Sequence, residues 1–268
     1  MRIEQDRVSP AKFAPLVLSP SGFQTIHLPG QSWWVKSGWE EMLPASLDHV
    51  PSAPGAPDPT IFGGRGSSWR ITLDEKEAVI VRHYCRGGLI GRFVRDLYWD
   101  RPPRPWVELI CTEVARQRAV PTVEVLAAGV TWCALGLYRG TLVTREAKGF
   151  VNLWKWLTAR PAEKERETMA ATVAHAVACM HDAGIAHADL NLTNILVQEN
   201  AKKSPTVLVI DFDRARVFSG PVPPHQCKRN LRRLRRSLDK LDPGGLLTSP
   251  TEMEIFCRAY QQTKRMIV

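Results

Sequence analysis

Apolar and polar positions alternate along residues 69–73, and a polar turn at 74–76 leads into the apolar run 78–81, so a β-hairpin is predicted there. A helical pattern follows over 105–117. Strand-like runs occupy 123–127, 134–138 and 141–146, the last read as a strand leaving the sheet. Beyond them the period changes. Residues 151–157 and 163–181 read as helices, and in the second Met169, Val173, Val177 and Met180 recur at spacings of 4, 4 and 3, which makes one apolar face. Asp182, Ala183 and Gly184 end that helix. Short apolar runs at 195–197 and 207–210, separated by a polar tip over 199–205, predict a second hairpin. Residues 1–60 are rich in Pro and Trp and weakly periodic. Within them 52–59 read as a turn-rich linker, and Trp33, Trp34 and Trp39 are expected to cover the neighbouring lobe. The pattern predicts an N-terminal extension (1–60), a strand-rich lobe (61–145), a helical lobe (146–245) and a C-terminal tail (246–268).

Composition narrows the class. A chain of 268 residues, 44% hydrophobic and 24% charged, has the make-up of a soluble globular protein with one large domain or two lobes. Its six cysteines are scattered without a C-x-x-C pair, which argues against zinc and disulfide frameworks and for a reducing compartment. The N-terminus lacks the apolar core of a signal peptide, and the apolar, uncharged stretch 125–138 is too short to span a bilayer. The net charge of +9 calls for an anionic partner. Residues 228–240 alone carry seven basic side chains against Asp239. Nucleic acid is not expected, because no binding motif or interleaved aromatic platform accompanies the charge.

The chemistry concentrates in His187-Ala-Asp-Leu-Asn-Leu-Thr-Asn194 and in Asp211-Phe-Asp213, which begins 17 residues after Asn194. Asp189 lies where a phosphotransferase places the carboxylate that accepts the proton of an attacking hydroxyl. Asn194, five residues on, and Asp211, at the end of an apolar strand, lie where magnesium ligands are held. Upstream, Gly63-Gly-Arg-Gly66 precedes the first hairpin, where backbone N–H groups would approach phosphates; Gly64 and Gly66 are the candidates. Arg82 stands at the end of the second strand, in the place of a phosphate-binding lysine. Glu108 and Glu113, five apart on the next helix, compete as its partner, with Glu108 favoured. Two features depart from the protein kinases: only 55 residues follow Asp213, with no A-P-E segment, and Asn191 replaces a lysine. The short tail points to a small or lipid-borne hydroxyl acceptor.

Four segments carry a family resemblance: Gly64-Arg-Gly66; Val81-Arg-His-Tyr-Cys-Arg-Gly-Gly-Leu-Ile-Gly-Arg92; 187–196; and Asn230-Leu-Arg-Arg-Leu-Arg-Arg-Ser-Leu-Asp-Lys-Leu241. Through them the chain resembles the lipopolysaccharide kinases, in particular those acting on 3-deoxy-D-manno-octulosonic acid (Kdo). The resemblance implies an α+β, bilobal protein-kinase-like fold with a strand-rich N-lobe and a compact, truncated helical C-lobe. It implies ATP and Mg2+ as cofactors and transfer of the γ-phosphoryl group to the 4-hydroxyl of Kdo–lipid A, with Asp189 as the active-site residue. Asp213, in place of the glycine of D-F-G, puts switching of that segment in doubt. Arg86, Arg92 and Arg95 are expected to meet the acidic acceptor. The 228–240 helix, with Leu231, Leu234, Leu238 and Leu241 on one face, is expected to meet the anionic surface of the inner membrane from its cytoplasmic side as a peripheral protein.

Overall fold

A computed structural model describes residues 20–41, 68–73, 77–85, 96–99, 102–199 and 205–266. β5 (Val125–Trp132) and β6 (Tyr138–Arg145) are central in a six-stranded antiparallel sheet. Its order is β1-β2-β5-β6-β4-β3, with β1 Phe23–Leu28, β2 Gln31–Lys36, β3 Ser68–Thr72 and β4 Ala78–His83. The first six residues of β5 are all buried, as expected of a strand covered on both faces. Trp33 and Trp34 of β2 point to opposite faces, following the two-residue period of a strand. On one side Trp34 stacks on Trp106 of α1 (Arg104–Gln117), ring centroids 4.8 Å apart. On the other Trp33 covers Gly129, where an added Cβ would come within 2.4 Å of the indole. Each large side chain buried this way contributes about 1.5–3 kcal/mol.

Three expectations change here. Residues 23–36, read as part of an extension outside the lobe, form two strands of its sheet. Residues 134–136, read as strand, form a 3-10 turn, because Leu135 (φ 60°) and Gly136 (φ 71°) take left-handed backbone that no strand admits. Residues 141–145 do not leave the sheet: β6 pairs with β5 and β4 along that stretch.

The chain divides into two units. One has its described part in Pro10–Glu113 and Val123–Glu146; the other in Val114–Thr122 and Ala147–Val268. The second unit holds the long helix α3 (Glu163–Asp182), in which Met169, Val173, Val177 and Met180 are all buried. It is preceded by β7 (Val151–Asn152) and α2 (Leu153–Thr158), so residues 151–152 pair as strand rather than opening a helix. The reason is local: the Asn152 side chain accepts from the Lys155 N–H at 2.8 Å and starts α2 one residue later. The segment read as a tail contains α5 (Pro250–Met266), which packs along α3. Glu252 accepts from Arg166 at 2.8 Å, and Lys264 pairs with Asp182.

Candidate active site

α3 stops at Gly184, whose φ of 77° places it in the left-handed region. A Cβ there would meet the Gly220 carbonyl oxygen at 2.4 Å, so this turn admits glycine alone. The chain leaves it as β8 (Ile185–Ala186), paired with β11 (Arg216–Val217). The guanidinium of Arg118 secures the junction by donating to the carbonyls of Ala183 at 2.7 Å and Phe218 at 2.8 Å. β8 then delivers His187 into the interior, 1% exposed.

His187 organises the loop. Its Nδ1 accepts from the backbone N–H of Asp189 at 3.0 Å, so its proton is on Nε2, which donates to the Ile210 carbonyl at 2.9 Å. Burial lowers its pKa, and it is a neutral tie rather than a proton carrier. Asn191 caps the 3-10 turn Leu192–Asn194: its Oδ1 accepts from the N–H groups of Thr193 (2.8 Å) and Asn194 (3.1 Å). Its Nδ2 donates to the Asp189 carboxylate at 3.2 Å. The residue noted only as a missing lysine is thus a cap that also orients the carboxylate.

β9 (Ile195–Gln198) and β10 (Thr206–Val209) return the chain to Asp211. The N–H of Ile210 donates to the Asn194 carbonyl at 3.0 Å, and Asn194 Nδ2 donates to the Asp189 carbonyl at 2.9 Å. Asp189, Asn194 and Asp211 are therefore brought together around His187, whose ring feels both carboxylates. Phe212 is fully buried with its ring 5.3 Å from that of His187. Asp211 takes φ 67°, a conformation uncommon outside glycine and a source of strain at functional sites.

This donor set suits Mg2+. The Asp211 carboxylate and the Asn194 amide oxygen are hard ligands, and Asn194 uses its Nδ2, not its oxygen, to hold the Asp189 carbonyl. Among the described residues no group of three or more His, Cys, Asp or Glu side chains could hold a metal ion. A magnesium ion shared with phosphates needs fewer protein ligands than that.

In the other unit Arg82 and Glu108 form the expected ion pair, Arg82 Nη2 donating to Glu108 Oε1 at 2.5 Å. Glu108 is 2% exposed, whereas Glu113 is only half-buried, which settles the choice between them. Tyr84 supplies what the pattern did not disclose. Its hydroxyl donates to the second carboxylate oxygen of Glu108, and its ring lies 5.0 Å under the Arg82 guanidinium. Gly64, Gly66, Arg86, Arg92 and Arg95 lie outside the described residues.

The 228–240 segment lies in α4 (Pro224–Leu241) and behaves differently from its leucine pattern. Of the four leucines only Leu234 is buried, and the buried stripe is completed by Gln226, Cys227 and Asn230. Lys228, Arg229, Arg232, Arg235, Arg236 and Lys240 are exposed. Asn230 and Ser237 reach the catalytic loop, a role that leucine periodicity cannot signal.

The family model described as "Lipopolysaccharide kinase (Kdo/WaaP) family" matches residues 63–260. A 3-deoxy-D-manno-octulosonic acid kinase of Vibrio cholerae serotype O1 is 32% identical over 180 residues, covering 66% of this chain and 72% of that protein. Another, from Stenotrophomonas maltophilia, is 36% identical over 185 residues, covering 67% and 68%. Among solved structures, WaaP in complex with acyl carrier protein matches with a TM-score of 0.53 at 18% identity, covering 75% of this chain and 78% of that one. That likeness is one of fold, and it agrees with the α+β, kinase-like architecture expected from the sequence.

Proposed function

The chain belongs to the lipopolysaccharide kinase (Kdo/WaaP) family, and we propose that it transfers the γ-phosphoryl group of ATP to the 4-hydroxyl of Kdo on Kdo–lipid A. The observation that carries this reading is the convergence of Asp189, Asn194 and Asp211 on one buried imidazole.

Asp189, oriented by Asn191, accepts the proton of the sugar hydroxyl as its oxygen bonds to the γ-phosphorus and the bond from that phosphorus to the ADP oxygen breaks. Asn194 and Asp211 would hold Mg2+, which when bound would neutralise charge on the phosphates. Arg82, oriented by Glu108 and Tyr84, binds phosphate. The rate comes from positioning and charge complementarity rather than from a covalent intermediate.

The exposed basic face of α4 supports a contact with anionic lipid, and the proposed location is the cytoplasmic surface of the inner membrane. No helix among the described residues is long and apolar enough to cross a membrane. The deciding experiment incubates the protein with Mg-ATP and, in parallel, Kdo–lipid A, a heptosylated acceptor and an aminoglycoside, with mass spectrometry of the products. Phosphate on Kdo is the expected result. Phosphate on heptose or on the aminoglycoside alone moves the acceptor elsewhere.

A further inference from the structure

The Asn230-to-Leu241 string has a second face. Asn230, Leu234 and Ser237 are spaced 4 and 3 residues apart and so share one side of α4, turned away from the exposed arginines. Asn230 is 2% exposed, and its carboxamide binds both backbone groups of His187. Oδ1 accepts from the His187 N–H at 3.0 Å, and Nδ2 donates to the His187 carbonyl at 2.6 Å. Ser237 Oγ accepts from the Leu192 N–H at 3.3 Å on the other side of Asp189.

The contact continues inward. Asn230 Oδ1 also lies 3.0 Å from His181 Nε2, and His181 Nδ1 lies 2.7 Å from the Tyr260 hydroxyl on α5. Because Asn230 Oδ1 only accepts, His181 carries its proton on Nε2, and Nδ1 is left to accept from Tyr260. Tyr260, His181, Asn230 and His187 therefore form one connected series that reaches the backbone N–H of Asp189: Tyr260 donates to His181 and His181 to Asn230, while from the other side the His187 N–H donates to Asn230 and the Asp189 N–H to the His187 ring.

We infer that Asn230 is a positioning residue for phosphoryl transfer: from α4 it locks the His187 peptide and, through the His187 ring, sets the place of the Asp189 carboxylate. The inference rests on the reading of Asp189 as the base. A carboxamide is required, because the site needs a donor and an acceptor on one planar group. An aspartate offers no donor and sets negative charge against the His187 carbonyl unless it is protonated. The groups that face this cluster are Asp182 and Lys264 toward His181, and Asp189, Asp211 and Arg233 toward His187.

The test compares wild type with Asn230→Ala, Asn230→Asp and the milder Ser237→Ala, using kcat, KM for Mg-ATP, a pH profile, and amide hydrogen exchange over residues 187–194. Asn230→Ala should lower kcat on the order of a hundredfold, the cost of a misplaced reacting group, with KM for Mg-ATP within about threefold. Asn230→Asp should lose as much at high pH and regain activity at low pH, where its protonated carboxyl donates again; wild type should show no such recovery. A residue with only a structural role would not produce that crossing of profiles. Exchange in both Asn230 variants should quicken at 187–194 while the α3 interior keeps its protection. Should either Asn230 variant fail to fold, Ser237→Ala carries the test, with faster exchange at Leu192 and a kcat several-fold lower. Unchanged kcat, or unchanged exchange at 187–194, overturns the inference. If wild type leaves Kdo–lipid A untouched, the acceptor is wrong, and the exchange data still judge the clamp.

Discussion

The imidazole of His187 donates from Nε2 to the carbonyl oxygen of Ile210 at 2.9 Å. One ring thereby joins the loop bearing Asp189 to the strand end bearing Asp211, two segments more than twenty residues apart in the chain. Replacing His187 with leucine keeps the volume and removes both ring contacts, leaving the part-buried Ile210 carbonyl and Asp189 N–H without them. We expect a loss of about 1–3 kcal/mol in denaturant unfolding, from two hydrogen bonds at about 0.5–1.5 kcal/mol apiece, together with loss of transfer.

Asp189→Asn keeps the shape of the carboxylate and removes its basicity. Transfer should fall by about 10³, within the range of a lost general base, while the thermal shift produced by Mg-ATP survives. Retained turnover would show that the proton leaves by another route.

At Asp211 activity and stability should part company. Its left-handed backbone costs roughly 1 kcal/mol that glycine does not incur. Asp211→Gly should hold or raise the melting temperature while abolishing magnesium-dependent nucleotide binding, measured by calorimetry with and without the metal. Parallel loss of both would mean that the carboxylate's contacts outweigh the backbone strain.

Glu108 is buried between Arg82 and Tyr84. Glu108→Ala removes the acceptor that orients Arg82 and should raise KM for Mg-ATP about tenfold, equivalent to ~1.4 kcal/mol of lost phosphate contact. Arg82→Lys should recover only part of the affinity lost in Arg82→Ala, since an ammonium cannot match the forked geometry of a guanidinium. Equal KM values for the Arg82 variants and wild type would remove Arg82 from the nucleotide site.

His181 provides the pH dependence. Burial first, then the charge of Lys264, push its pKa from 6.5 to about 4, against the opposing pull of Asn230 and Asp182. The folded state therefore holds this ring neutral while the unfolded chain protonates it below pH 6.5. Its contribution is fully present above pH 6.5, falls as pH drops toward 4, and changes no further below. Relative to His181→Gln, wild type should lose on the order of 3 kcal/mol of unfolding free energy between pH 7 and pH 4. Parallel curves for the two proteins would contradict a buried neutral ring.

Much of the site was legible because its chemistry is local. Asp189 and Asn194 belong to one turn, and an apolar strand ends at Asp211, so spacing and periodicity announce them. The buried face of α3 was legible for the same reason, as four apolar residues at helical spacing. The N-terminal strands were not: residues 23–36 alternate weakly, and β2 is recognised by its pairing with β5 and by the fit of the Trp33 ring over Gly129, about a hundred residues away.

What the amino-acid order decided is which side chains are available and where each element begins: the catalytic turn, the helix stop at Gly184, the cap at Asn152, the pool of basic charge on α4. Only the folded chain chose among partners. It paired Arg82 with Glu108 and left Glu113 half-buried; it turned Asn230 inward while its neighbouring arginines face water. Short-range periodicity records which face of an element is apolar, but a hydrogen bond needs two groups at one place and angle. For residues far apart in the chain, packing alone supplies that coincidence.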